Sequence, residues 1–138
     1  MKKFESNKLL IKRSAEDIFN FLGDFTNFEG LMPEEIINWE ATADNCSFTI
    51  RGMTSLAMKI EERTPHSRIR ILPDGKAPFD FELVCLMNGV EEKVTETRIN
   101  LHASLNPLYS MVASQPLYNL VNIMVNKLKE VMEGDQDS

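Results

Sequence analysis

The stretch Asn106–Glu133 sets what this chain can fold into. Asn106-Pro107 reads as a helix start, because Asn caps free backbone N–H groups and Pro suits the first helical position. Gly134 closes the stretch, as glycine commonly does where a helix ends. Between them Leu117, Leu120, Val121, Met124, Leu128 and Val131 recur at helical spacing. Asn119, Asn122, Asn126 and Lys129 mark the opposite, wet face. A helix over the whole stretch is about 40 Å long. Its apolar stripe must be buried, and no second long stretch with a helical period is there to bury it. The partner is therefore a sheet.

The preceding chain supplies that sheet. Lys2–Lys12 reads as a first strand with Leu9 and Ile11 on one face; Phe4 and Leu10 break the alternation, which marks a bulge or an edge position. Ser14 predicts a helix cap, with Asp17 completing a weak capping box. Ile18, Phe19, Phe21 and Leu22 form the apolar side of that short helix, and Gly23-Asp24 interrupts it. A second short helix or turn spans Phe25–Met32 and stops at Pro33. From Ile36 onward the period is two. The expected inner rows are Ile37, Trp39 and Ala41; Cys46, Phe48 and Ile50; Leu56, Met58 and Ile60; and Ile69 and Ile71. Two longer rows follow, Phe79 to Met87 and Thr95 to Ala103, each taken at every second residue. Turns are expected at Asp44-Asn45, Gly52-Met53, Thr64-Pro65-His66, Pro73-Asp74-Gly75 and Asn88-Gly89. Six to seven strands joined by short turns make an antiparallel meander with one covered face, so the fold class is α+β.

This order resembles the helix-grip fold of the START-like, Bet v 1-like superfamily, which includes polyketide cyclases and lipid-transfer domains. The resemblance rests on Ser14-Ala15-Glu16-Asp17-Ile18-Phe19 after strand one, Asp24-Phe25-Thr26-Asn27-Phe28, Leu31-Met32-Pro33, Leu56 to Glu62, and Leu105-Asn106-Pro107. It covers Lys2–Met132. It implies a curved antiparallel sheet wrapped around the C-terminal helix, with two short helices after strand one. Residues 1–133 are expected to form one domain and 134–138 a disordered tail. Pro116 either kinks the last helix or lies in the first turn of a new one capped by Ser114.

Composition narrows the function. Fifteen Lys+Arg against 21 Asp+Glu give a net charge of −6, a poor match to a nucleic-acid backbone. No apolar run reaches transmembrane length, so no stable membrane insertion is expected. The start, Met1-Lys2-Lys3-Phe4-Glu5, has no apolar core behind it and does not read as a signal peptide. Cys46 and Cys85 fall in apolar rows and read as buried free thiols, which fits a reducing cytoplasm.

Chemistry-bearing residues are sparse. His66 and His102 have no ligand partners at metal spacing, so neither metal nor cofactor is expected. Glu61-Glu62 and Glu91-Glu92 are strand neighbours whose side chains point to opposite faces. Glu62 continues the register of Met58 and Ile60 and is the only candidate general base, at a cavity rim; no other catalytic residue is proposed. Met58, Met87, Met111 and Met124 fall on expected inner faces, where Met adapts to irregular apolar space. Together with the resemblance this predicts a cavity between sheet and helix for an apolar or amphipathic small molecule, lipid-like or aromatic. Its expected lining is Met58, Ile71, Phe81, Leu83, Thr97, Ile99, Val121 and Met124, with Thr97 as the polar contact and Phe28 and Met32 at the mouth. The resemblance also implies two alternatives: a polyketide cyclase/dehydrase-type enzyme, or a co-chaperone-like interaction module. Val84 and Leu86 face outward in their strand, which points to a homodimer contact or to cover by another segment.

Overall fold

A computed structural model describes residues 1–52 and 54–134 of the chain. Met53, half of one expected turn, and Asp135–Ser138 of the expected tail lie outside the described residues. The alternating segments form an antiparallel sheet in the order β1-β8-β7-β6-β5-β4-β3, with β2 also paired to β8. The strands are β1 (Lys2–Glu5), β2 (Leu9–Ile11), β3 (Ile36–Ala41), β4 (Asn45–Ile50), β5 (Ser55–Thr64), β6 (Arg68–Pro73), β7 (Phe81–Glu91) and β8 (Val94–Ala103). Helices α1 (Ala15–Leu22) and α2 (Pro107–Gly134) complete the α+β helix-grip architecture.

Among the described residues eight strands replace the expected six or seven, because the first one breaks in two. Glu5 pairs with Asn100 and Leu9 with Thr97, so four steps on one side face three on the other. Ser6 sits at the break. Its N–H donates to the Ile99 carbonyl (3.1 Å), and its hydroxyl accepts from the Ile99 N–H (2.9 Å). The side chain thus pairs a backbone donor at the break.

Ser14 caps α1 as expected, its Oγ accepting from the Asp17 N–H at 3.1 Å. Asp17 does not complete the box; its carboxylate pairs with Arg13 instead. Phe25–Met32 forms two short 3-10 turns, Phe25–Asn27 and Glu29–Leu31, rather than one helix.

Register shifts change three expectations. Asn38 adopts φ 56°, a left-handed conformation that Asn tolerates. The pairing shifts there, between Ile37 and Glu40, so Ile36 packs on the core with Trp39 and Ala41 in place of Ile37. A second shift, between Ile60 and Glu62, sets Glu62 opposite Arg70. Asn88-Gly89 stays inside the β7–β8 ladder, opposite Glu96 and Thr95, and the chain turns at Glu92-Lys93.

Helix α2 runs unbroken through Pro116. Asn106 caps it, Oδ1 accepting from the Tyr109 N–H at 2.7 Å. Ser114 is no cap; its hydroxyl donates back to the Ser110 carbonyl (2.6 Å). Pro116 leaves the Val112 carbonyl without its helical donor, and Val112 is exposed, so water can serve there. Val121, Met124, Val125, Leu128 and Met132 are buried against the sheet, while Leu117, Leu120 and Val131 are partly buried. Asn119 and Asn126 face water. Asn122 is half-buried and accepts from the Asn7 N–H (2.9 Å).

Met111 is 82% exposed, against the expectation of an inner position. It precedes Met124 by thirteen residues, which at about 100° per residue places it on the far side of the helix. Val84 faces outward yet is only 4% exposed. Its cross-strand neighbours on that face are Arg70 and Asn100, and arginine stems shield apolar surface well. The chain itself therefore covers Val84, as the second of the two expectations has it.

Candidate functional site

The site is built where α2 begins to leave the sheet. A cavity of about 80 Å3 lies between Leu117, Leu120 and Met124 of α2 and the sheet beneath them. Phe48 and Ile50 of β4, Leu56 and Met58 of β5, Phe81 and Leu83 of β7 and Leu101 of β8 form its floor. Met32, Ile36 and Phe79 close the sides. Every lining residue is apolar.

The walls are held from outside. Phe28 stacks on Trp39 (6.4 Å between centroids, 10° apart), and Trp39 stacks on Phe48 (5.4 Å, 18°). The Trp39 indole N–H donates to the Phe25 carbonyl at 3.2 Å, which fixes the ring. Lys127 reaches from α2 to the Met32 carbonyl at 3.2 Å and ties the helix to that wall. On the other flank Lys2 donates to Ser110 and Ser114 at 3.2 and 2.8 Å.

Five of the ten expected lining residues, Met32, Met58, Phe81, Leu83 and Met124, meet at this cavity. Phe28, Ile71, Thr97, Ile99 and Val121 are buried at 0% exposure but are not part of its lining. Thr97, expected to meet a polar group of the ligand, has a buried hydroxyl with no hydrogen-bond partner among the described residues. The remaining lining residues, among them Phe48, Leu56, Leu117 and Leu120, escaped the sequence reading. They belong to the same inner rows and the same helix stripe, displaced toward the start of α2.

Glu62 is not at the rim. The shift in β5 turns it to the outer face, where it accepts from the Thr64 hydroxyl (3.1 Å) and lies 4.0 Å from Arg68. Both cysteines are buried free thiols, and burial pushes each thiol up to about 12. Neither has the thiolate character of a nucleophile at neutral pH. His66 packs edge-on against Phe19 at 5.8 Å. Among the described residues no three His, Cys, Asp or Glu side chains are grouped to hold a metal ion, and no helix is long and apolar enough to cross a membrane.

A second, polar depression adjoins the cavity at Phe79, which lines both. Its other walls are Ala77, Pro78, Asp80, Ser104, Leu105, Asn106 and Tyr109, around a volume of about 360 Å3.

Solved structures share this architecture over almost their whole length. The protein XoxI from Bacillus cereus superposes with a TM-score of 0.77 at 12% identity, over 100% of this chain and 99% of that one. A START superfamily protein from Mycobacterium smegmatis gives 0.69 at 14% identity, over 96% and 97%. A norcoclaurine synthase point mutant from Thalictrum flavum, in complex with a transition-state analogue, gives 0.69 at 10% identity, over 98% and 96%. The chain therefore has the START-like, Bet v 1-like helix-grip fold. No protein-family model matches it, and no curated protein matches it.

Proposed function

We propose that the chain is a cytoplasmic binding protein for an apolar or amphipathic small molecule, held between the sheet and the first half of α2. The observation that carries this is the wholly apolar cavity under Leu117, Leu120 and Met124. Nothing in that lining can donate, accept or transfer a proton, so the site favours holding over converting. That a similarly folded norcoclaurine synthase holds a transition-state analogue supports a binding role for the fold. At about 80 Å3 the cavity is well below the roughly 300–1,000 Å3 of drug-sized sites. It fits a short chain or a single ring, or a longer chain once Met32, Met58 and Met124 repack.

Thermal shift with short-chain alcohols, fatty acids and simple aromatics tests the reading, on wild type and on Met124→Trp. A dose-dependent rise in Tm for wild type, lost in the variant, supports it. No shift with any compound in wild type removes it. A second reading, an interaction module, has one observation in its favour: Leu108, Met111 and Val112 on α2 are 71–82% exposed.

A further inference from the structure

The cavity supplies the ligand's apolar part with walls but gives its polar end nothing to bond. We infer that the depression beside it is the head-group subsite, and that it takes a hydrogen-bond-donating head, a hydroxyl or an amine, in preference to a carboxylate or phosphate. This rests on the cavity reading above.

Three observations converge. First, Phe79 lines both spaces, so an amphiphile with its chain in the cavity leads its head past Phe79 into the depression. The Phe79 ring lies 5.9 Å from that of Phe81 and 5.7 Å from that of Tyr109, one ring toward each space. Second, three polar side chains of the depression are unused, Asn106 being taken up as the helix cap. Among the described residues neither the Asp80 carboxylate nor the Tyr109 and Ser104 hydroxyls has a side-chain hydrogen bond or ion pair; only backbone atoms of these residues do. Third, the lining holds one carboxylate and no Lys, Arg or His.

The start of α2 also borders the depression, and a helix start ordinarily attracts anions. Here little of that capacity is left. Pro107 has no N–H, the Tyr109 N–H goes to Asn106 Oδ1, and the Ser110 N–H goes to the Asn106 carbonyl. Only Leu108 retains a free helix-start donor. Lys2, which bonds to this half of α2, is committed to Ser110 and Ser114, and Lys76 in the preceding turn is not part of the lining. An anionic head would therefore face Asp80 with no cation among the lining residues, whereas a hydroxyl or amine donates to it.

The test compares 1-octanol, octylamine and octanoate, with toluene as a probe that has no head, by titration against the intact protein at low salt. Wild type should bind octanol and octylamine at least about fivefold tighter than octanoate, the factor two like charges about 4 Å apart give in water. The net charge of −6 penalises octanoate wherever it binds. Asp80→Asn isolates the local part: it should strengthen octanoate about fivefold and weaken octylamine by a similar factor. High salt should narrow the same gap in wild type. Octanoate binding as tightly as octanol, or an unchanged ratio in Asp80→Asn, overturns the subsite. If toluene binds and the three heads do not differ, the cavity stands and the subsite falls. If none of the four binds, the cavity reading falls first and takes the subsite with it.

Discussion

The two halves of α2 carry different loads. From Val121 to Met132 the helix buries five side chains against the sheet, and from Pro107 to Leu120 it buries none. The closed half has Val121, Val125 and Leu128 at 0% exposure, and Met124, equally buried, marks the boundary where it borders the cavity. The open half has Leu117 and Leu120 at a cavity and Leu108, Met111 and Val112 in water. It also contains Pro116, which weakens the helix where the packing is already thin. One end of the helix therefore holds the fold and the other provides room. A single stripe of similar leucines thus performs two tasks, and exposure separates them.

Paired truncations test this division most strongly. Leu128→Ala should cost about 2–5 kcal/mol, since it opens a void where packing is closed. Leu120→Ala should cost only about 1–2 kcal/mol, because Leu120 is partly exposed and already borders empty space. Chemical denaturation measures both, and equal losses would erase the difference between the halves.

The thiols give a kinetic version of the same contrast. Cys46 pairs across the sheet with Met58 of the cavity floor, whereas Cys85 lies at 0% exposure opposite Ile99. Both should resist a thiol reagent in the native state at mildly alkaline pH, and Cys46 should react before Cys85. Their folded values near 12 lie above the ordinary 9.0. The unfolded chain therefore loses thiol protons first, and the thiol contribution to stability should decline as pH rises from about 9 toward about 12. The smallest effect is expected on the wet face, where Asn126→Ala should change stability by no more than about 0.5 kcal/mol.

The helix stripe, the capping residues Ser14 and Asn106, and most inner strand rows were legible in the sequence, because each follows from local periodicity or local hydrogen bonding. An interruption of the first strand was legible from Phe4 and Leu10, though not its place at Ser6; the shifts at Asn38 and Glu62 were not. A bulge is set by which residue on the facing strand completes the ladder, and single-strand alternation does not say where it falls. Glu62 shows the consequence: one register shift carries the only candidate base from the rim to the outer face. Asn88-Gly89 has turn chemistry but lies in the ladder, with helix α1 passing close enough that a side chain at 89 would meet Ala15. The cavity was legible in kind but misplaced along the helix. Inner-face membership identifies residues that point toward α2, yet it does not say where α2 stands off from the sheet. Thr97 and Ile99 point the same way as Leu101, and only Leu101 meets the cavity.

Methionine methyl NMR during a toluene titration tests the central claim most directly, because methionines stand in both halves. Met32, Met58 and Met124 line the cavity, Met87 and Met132 are buried elsewhere, and Met111 is exposed. A ligand in the cavity should shift the methyl signals of Met32, Met58 and Met124 in a saturable way and leave those of Met87, Met132 and Met111 in place. Shifts at Met111 alone, shifts spread evenly over all of these methyls, or none at all would contradict a binding cavity under the open half of α2.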